Sequence, residues 1–152
     1  MGPILSLLFA AAAVQSTAAP ISTPSSDPAH SVCEIARSPD AFLGKVVTVS
    51  AHYRTDSMHY AYLDDEGCEA TLQMGYEVPE RDASVADFEG AESRICVETG
   101  RPYLCVLEGK LTLRGEIVWI KGAHLEPDIQ TLAINPHSVV TFEFTGTSAS
   151  GR

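Results

Sequence analysis

A chain of 152 residues is long enough for one domain with a real hydrophobic core. Its formal net charge is −10, and no Asp, Glu, Lys or Arg occurs before Asp27, so the part that folds carries all of the charge. Such an acidic domain repels phosphate backbones and anionic membrane surfaces, which argues against general nucleic-acid binding, and the charge needs no partner to explain it, since it keeps a small exported protein soluble.

Residues 3–14 are nearly all apolar and are followed by Gln15 and the small residues Ser16, Thr17, Ala18 and Ala19. The pattern is that of a secretory signal cleaved near Ala18, although no Lys or Arg precedes the apolar run; a buried N-terminal helix is the alternative. The run is short for a bilayer span, and no cysteine near the cleavage point offers a lipid anchor. Residues 1–18 are therefore read as a signal peptide and residues 19–30, rich in Pro, Ser and Thr, as a disordered spacer. No membrane insertion is expected after cleavage, and the mature protein is expected in the periplasm or secreted.

A short helix follows. Asp27 with Pro28 offers one start, and Ser31 with Glu34, in capping-box spacing, offers another a turn later. Val32, Ile35 and Ala36 form a small apolar face, and Ser38-Pro39 ends the helix because the residue before proline avoids helical geometry. Phe42 is placed to plug one end of the domain, and Gly44 frees the backbone to turn into a strand.

The stretch from 44 to 76 organises the rest. Val47, Val49, Ala51 and Tyr53 alternate with Thr48, Ser50, His52 and Arg54, and Ala70, Leu72, Met74 and Tyr76 alternate with Thr71 and Gln73. A period of two in β-branched and aromatic residues marks half-buried strands. Between them, residues 59–64 allow two registers. Pairing Ala51 with Tyr62 would turn Asp64 toward the core, at a cost of several kcal/mol for an unpaired carboxylate. Pairing Ala51 with Leu63 and Tyr53 with Ala61 needs an odd loop but sends Tyr60 and Tyr62 outward with His52 and Arg54, and is preferred.

Past Tyr76 the alternation stops. Residues 82–88 read as a short helix with Val85 and Phe88 on one side and Gly90 at its end, and residues 93–101 as irregular, with Gly100 and Pro102 as breakers. Residues 103–107 and 110–121 return to strand chemistry, with Leu111, Leu113, Ile117 and Trp119 on one parity, a bend at Gly109 and a bulge at Gly115. Residues 131–134 and 138–144 supply a last strand interrupted by Asn135-Pro136, and residues 146–152 form a flexible tail.

The run CEIARSPDAFLGKVVTV, followed by YLDDEGCEATLQ, is similar to small exported bacterial proteins with an OB-like barrel. Their recurrent pattern is Cys-Glu-aliphatic, a Pro, an aromatic, Gly-Lys, Val-x-Val, and later Leu-x-Asp-x-x-Cys. Here the matching positions are Cys33, Glu34, Ile35, Pro39, Phe42, Gly44, Lys45, Val47 and Val49, then Leu63, Asp64 or Asp65, and Cys68 at a slightly different spacing; Ala51 stands where that family often has glycine. The resemblance covers about residues 31–73, implies fold and exported location, and carries over no catalytic residue. Together with the strand pattern it predicts an all-β domain over residues 31–145, a five-stranded OB-like barrel with one short helix before strand one and another between strands three and four.

Cys33, Cys68, Cys96 and Cys105 are an even set in an exported chain, which suggests two disulfides, and no C-x-x-C spacing supports zinc. Four cysteines allow three pairings. Cys68 just follows strand two, whose end lies beside the start of strand one, and Cys33 lies on the helix leading to that same place. Cys33–Cys68 and Cys96–Cys105 are therefore expected.

The outward residues His52, Arg54, Tyr60, Tyr62, Thr71 and Gln73 lie on the strands where OB barrels bind ligands, and rings with one Arg suit a sugar, a peptide or a small anion. Against this, tyrosine is simply a good strand residue. His124, Glu126 and Asp128, and the acidic turn Asp64, Asp65 and Glu66, match no calcium loop, so no metal and no cofactor is expected. No Gly-x-Ser-x-Gly, His-Glu-x-x-His or phosphate-cradling loop is present. The expectation is a non-catalytic exported binding module for a small ligand, saccharide, peptide or envelope protein. An interaction subunit of an envelope complex is the alternative, ahead of a hydrolytic enzyme.

Overall fold

The computed structural model describes residues 27–56, 60–75, 81–100, 105–121 and 129–149. The segment expected to be a signal peptide, most of the expected spacer, Tyr76, and the stretch with His124, Glu126 and Asp128 lie outside the described residues.

Helix α1 spans Val32–Arg37 and starts at Ser31, whose hydroxyl accepts the Glu34 N–H at 3.1 Å. Of the two starts the sequence allows, the later one is used. The helix ends at Ser38, and a single 3-10 turn, Pro39–Ala41, leads to Gly44, which takes a φ of 72° that favours glycine. Strand β1 spans Val46–Thr55, β2 Ala61–Asp64 and β3 Thr71–Met74; helix α2 spans Ala83–Glu98; β4 spans Cys105–Lys121 and β5 Gln130–Ala149.

The strands close into a barrel in the order β1-β2-β3-β5-β4. All neighbours are antiparallel except β3 and β5, which are parallel, and α2 connects β3 to β4. This is the expected five-stranded OB-like barrel with a helix before β1 and another between β3 and β4. The core takes one residue in two from each strand: Val49, Tyr53, Leu63, Leu72, Leu111, Leu113, Ile117 and Ile134 are each at most 1 % exposed. Val32 and Ile35 of α1 and Val85 and Phe88 of α2 join the same cluster, with Phe42 packed against it and edge-on to His30.

Both disulfides form as the topology requires. Cys33–Cys68, with Cα atoms 5.8 Å apart, ties α1 to the β2–β3 turn, and Cys96–Cys105, at 5.4 Å, ties the last turn of α2 to the first residue of β4.

Four local readings need correction. The β1–β2 register pairs Tyr53 with Leu63 and Thr55 with Ala61, two residues from the one expected. Because the shift is even, every side chain keeps its face. Helix α2 does not stop at Gly90 but runs on to Glu98, so residues 93–98 are helical rather than irregular. Its N-cap is Asp82, whose carboxylate accepts the Ser84 N–H at 2.8 Å; that bond holds the carboxyl below its ordinary range. Strands β4 and β5 are each continuous. Register shifts at Glu108/Gly109, Thr112/Leu113 and Arg114/Gly115 absorb the irregular residues, and Pro136 sits at the last of them, opposite Gly115. Finally, the tail is strand as far as Ala149, paired with the start of β4.

Candidate functional site

Period two on β1, β2 and β3 sends His52, Arg54, Tyr62, Thr71 and Gln73 to the outer surface of the barrel, and Tyr60 lies just before β2 on the same side as Tyr62. Antiparallel pairing sets His52 against Asp64, Arg54 against Tyr62, and Tyr62 against Gln73. The six expected residues divide between two open clefts.

The first cleft, of about 190 Å³, is lined by Tyr60, Tyr62, Thr71, Gln73 and Thr131. Its described lining residues carry no formal charge. Gln73 lies between Tyr62 on β2 and the small Ala133 on β5, and its Oε1 is buried without a hydrogen-bond partner. The Tyr60 N–H donates to Asp56 Oδ1 at 3.0 Å and the Tyr60 carbonyl accepts from the Thr55 hydroxyl at 2.7 Å, so the backbone beneath its ring is held at both ends.

The second cleft, of about 520 Å³, is lined by Ser50, Ala51, His52, Arg54, Asp64, Asp65, Glu66 and Lys110, and most of its lining is charged. His52 Nδ1 lies 3.1 Å from Asp64 Oδ1. Arg54 joins the two clefts. Its guanidinium donates to the Tyr62 hydroxyl at 3.4 Å, sits 5.9 Å from the centre of that ring, and pairs with Glu108 at 3.0 Å. The Tyr62 hydroxyl foremost, with the Glu108 and Asp64 carboxylates, raises its pKa above the ordinary value, so it is a fixed cation.

Cross-strand partners were not legible from β1–β3 alone. Glu108 faces Arg54 and Lys110 faces His52 because β1 pairs along its whole length with residues 107–116 of β4, and Thr131 arrives on β5, the parallel neighbour of β3. Opposite charges at Arg54 and Glu108 were the available signal, but it becomes readable only once the β1–β4 register is known.

A carboxyl with a raised pKa occurs elsewhere. Burial pushes Glu92 of α2 up, against the opposing hydrogen bond from the buried Tyr53 hydroxyl at 2.8 Å and with some repulsion from Glu89. It lines neither cleft. Among the described residues no cluster of His, Cys, Asp or Glu could hold a metal ion, and no helix is long and apolar enough to cross a membrane. Two disulfides fit an oxidising, exported environment. Comparison with known protein families, curated proteins and solved structures gave no match.

Proposed function

We propose that the protein is an exported, non-catalytic binding module that recognises its ligand on the outer face of β1–β3, in the periplasm or outside the cell. One observation carries this reading: Tyr60, Tyr62, Thr71 and Gln73, from β2 and β3 and the residue before β2, converge on a single cleft. Ligand sites characteristically combine aromatic walls with a few placed polar groups. Among the described residues the carboxyl with the raised pKa, Glu92, faces Tyr53, while the charged cleft holds the His52–Asp64 pair.

NMR titration of the labelled protein with pooled oligosaccharides, peptides and nucleotides tests it. Shifts are expected at residues 60–62 and 71–73 with their neighbours at 52–54; shifts confined to α2 or to the opposite side of the barrel would overturn it. A second reading, an interaction subunit, draws on apolar residues of the closing strands that remain in water: Trp119 is 44 % exposed and Val140 54 % exposed. Photoreactive residues placed at 119 and 140 would crosslink to an envelope protein under that reading, and would give no protein adduct under the first.

A further inference from the structure

We infer that the charged cleft takes a small zwitterion, with an ammonium and a carboxylate a few ångströms apart, as at the two ends of a free amino acid or a short peptide. This rests on the binding reading above and names a ligand class for the charged part of that face.

The cleft carries charges of both signs, and most of them are already answered within the protein. His52 lies 3.1 Å from Asp64, Arg54 pairs with Glu108 at 3.0 Å, and Asp65 Oδ2 accepts the Cys33 N–H at 3.2 Å. Two charges are left over. Lys110 and Glu66 line the same cleft, both are exposed, and among the described residues neither has an ion-pair partner.

Strand pairing sets where these two stand. Strand β1 supplies Ser50, Ala51 and His52 to the middle of the cleft. On one side β4 places Lys110 opposite His52; on the other β2 places Asp64 opposite His52, and Glu66 follows two residues later in the turn. The cation and the carboxylate therefore flank one strand from opposite sides. Neighbouring strands lie about 4.8 Å apart, so the flanking strands stand about 10 Å apart, and an ion pair at each end takes up about 3 Å. The remaining span of about 4 Å is close to one residue of extended chain.

The sign pattern selects against simpler ligands. An anion would meet Asp64, Asp65 and Glu66, and an organic cation would meet Arg54 and Lys110. Like charges brought together cost affinity in either case. No described cluster of His, Cys, Asp or Glu suits a metal ion. A zwitterion sets each of its charges against the opposite one.

NMR titration of the labelled protein at low salt with glycine, diglycine and triglycine, then with N-acetyl-diglycine and diglycinamide, is the test. At least one of the three zwitterions should give saturable shifts at residues 50–52, 64–66 and 110, and which one does separates an amino acid from a peptide. Blocking either end should weaken binding about threefold or more. Glu66→Gln should remove the dependence on the free amino end alone, and Lys110→Gln the dependence on the free carboxyl end alone. Both side chains are exposed, so both variants should fold as the parent does. Silence from all three zwitterions, binding indifferent to blocking, or an unchanged blocking effect in both variants overturns the inference. If the zwitterions are silent while another ligand shifts residues 60–62 and 71–73, the zwitterion assignment fails and the binding face stands. If nothing shifts this face, both fail.

Discussion

The barrel is built from two unlike halves. Strands β4 and β5 form a ladder running from Cys105 paired with Ala149 to Lys121 paired with Gln130, long enough to carry its own register through three irregular points. Strands β2 and β3 have four residues each and join through three register pairs, and β3 meets β5 through two. A short meander is marginal alone. Here it is held from outside, by α1 packed behind it and by Cys33–Cys68, which ties its turn to α1. The residues of the first cleft belong almost wholly to this supported half. Thr131 alone comes from the ladder.

If that contrast is right, the largest loss should come from the core of the meander. Leu72→Ala removes a fully buried side chain from β3 and should cost about 2–5 kcal/mol in denaturant unfolding with both disulfides intact. A cost below about 1 kcal/mol would mean that β3 contributes little to the folded state. The disulfides come next and should be unequal. Cys33–Cys68 closes a separation of 35 residues and Cys96–Cys105 one of 9, so the chain-entropy model assigns roughly 4 and roughly 2.5 kcal/mol to them. Paired Ser substitutions measured side by side check the order, and the reverse order would place the supported region elsewhere.

Gly115→Ala probes the ladder. A Cβ there would sit 2.5 Å from the Asn135 carbonyl oxygen and 2.8 Å from Ile134 Cγ1, so β5 must move, and a loss of about 1–3 kcal/mol is expected. If the variant is neutral by thermal unfolding, the bulge is looser than its geometry. The smallest effect is Glu92→Gln. Glu92 has a raised folded-state pKa, so the wild-type protein loses stability as pH rises from the ordinary carboxylate range through that raised value. Glutamine still accepts the Tyr53 hydroxyl but never ionises. The variant should therefore be the more stable protein at neutral pH, and its advantage should vanish on acidification below the ordinary carboxylate range. A constant difference across pH would show that the effect is not ionisation.

What the sequence made legible follows from what is local. Alternation placed Val49, Tyr53, Leu63, Leu72 and Met74 inside, and it survived a register error because that error was even. The cysteine pairing followed from knowing which strand ends meet. Glycine and proline misled where they were read as punctuation. Gly90 lies within α2, tolerated because Val85, Phe88 and Cys96 bury that helix, and its cost of about 1 kcal/mol is smaller than the packing gain. Pro136 lies inside β5 because Gly115 opposite lets the backbone come close. Of the candidate site, the six side chains were visible, but their division between two clefts depends on β4 and β5, which no local pattern in β1–β3 reports.

The two-pair contact between β3 and β5 has one more consequence. Among the described residues it is the narrowest seam of the closed barrel, reinforced by the Gly75 N–H donating to the Ile134 carbonyl at 2.8 Å. Gln73 and Thr131 stand on opposite sides of it, so any molecule seated between them acts as a clasp across the place where the wall would part. Occupancy should then slow solvent exchange of the Met74, Gly75 and Ile134 amides while leaving the middle of the β4–β5 ladder unchanged. Uniform slowing of both would mean that the wall opens only when the whole barrel does.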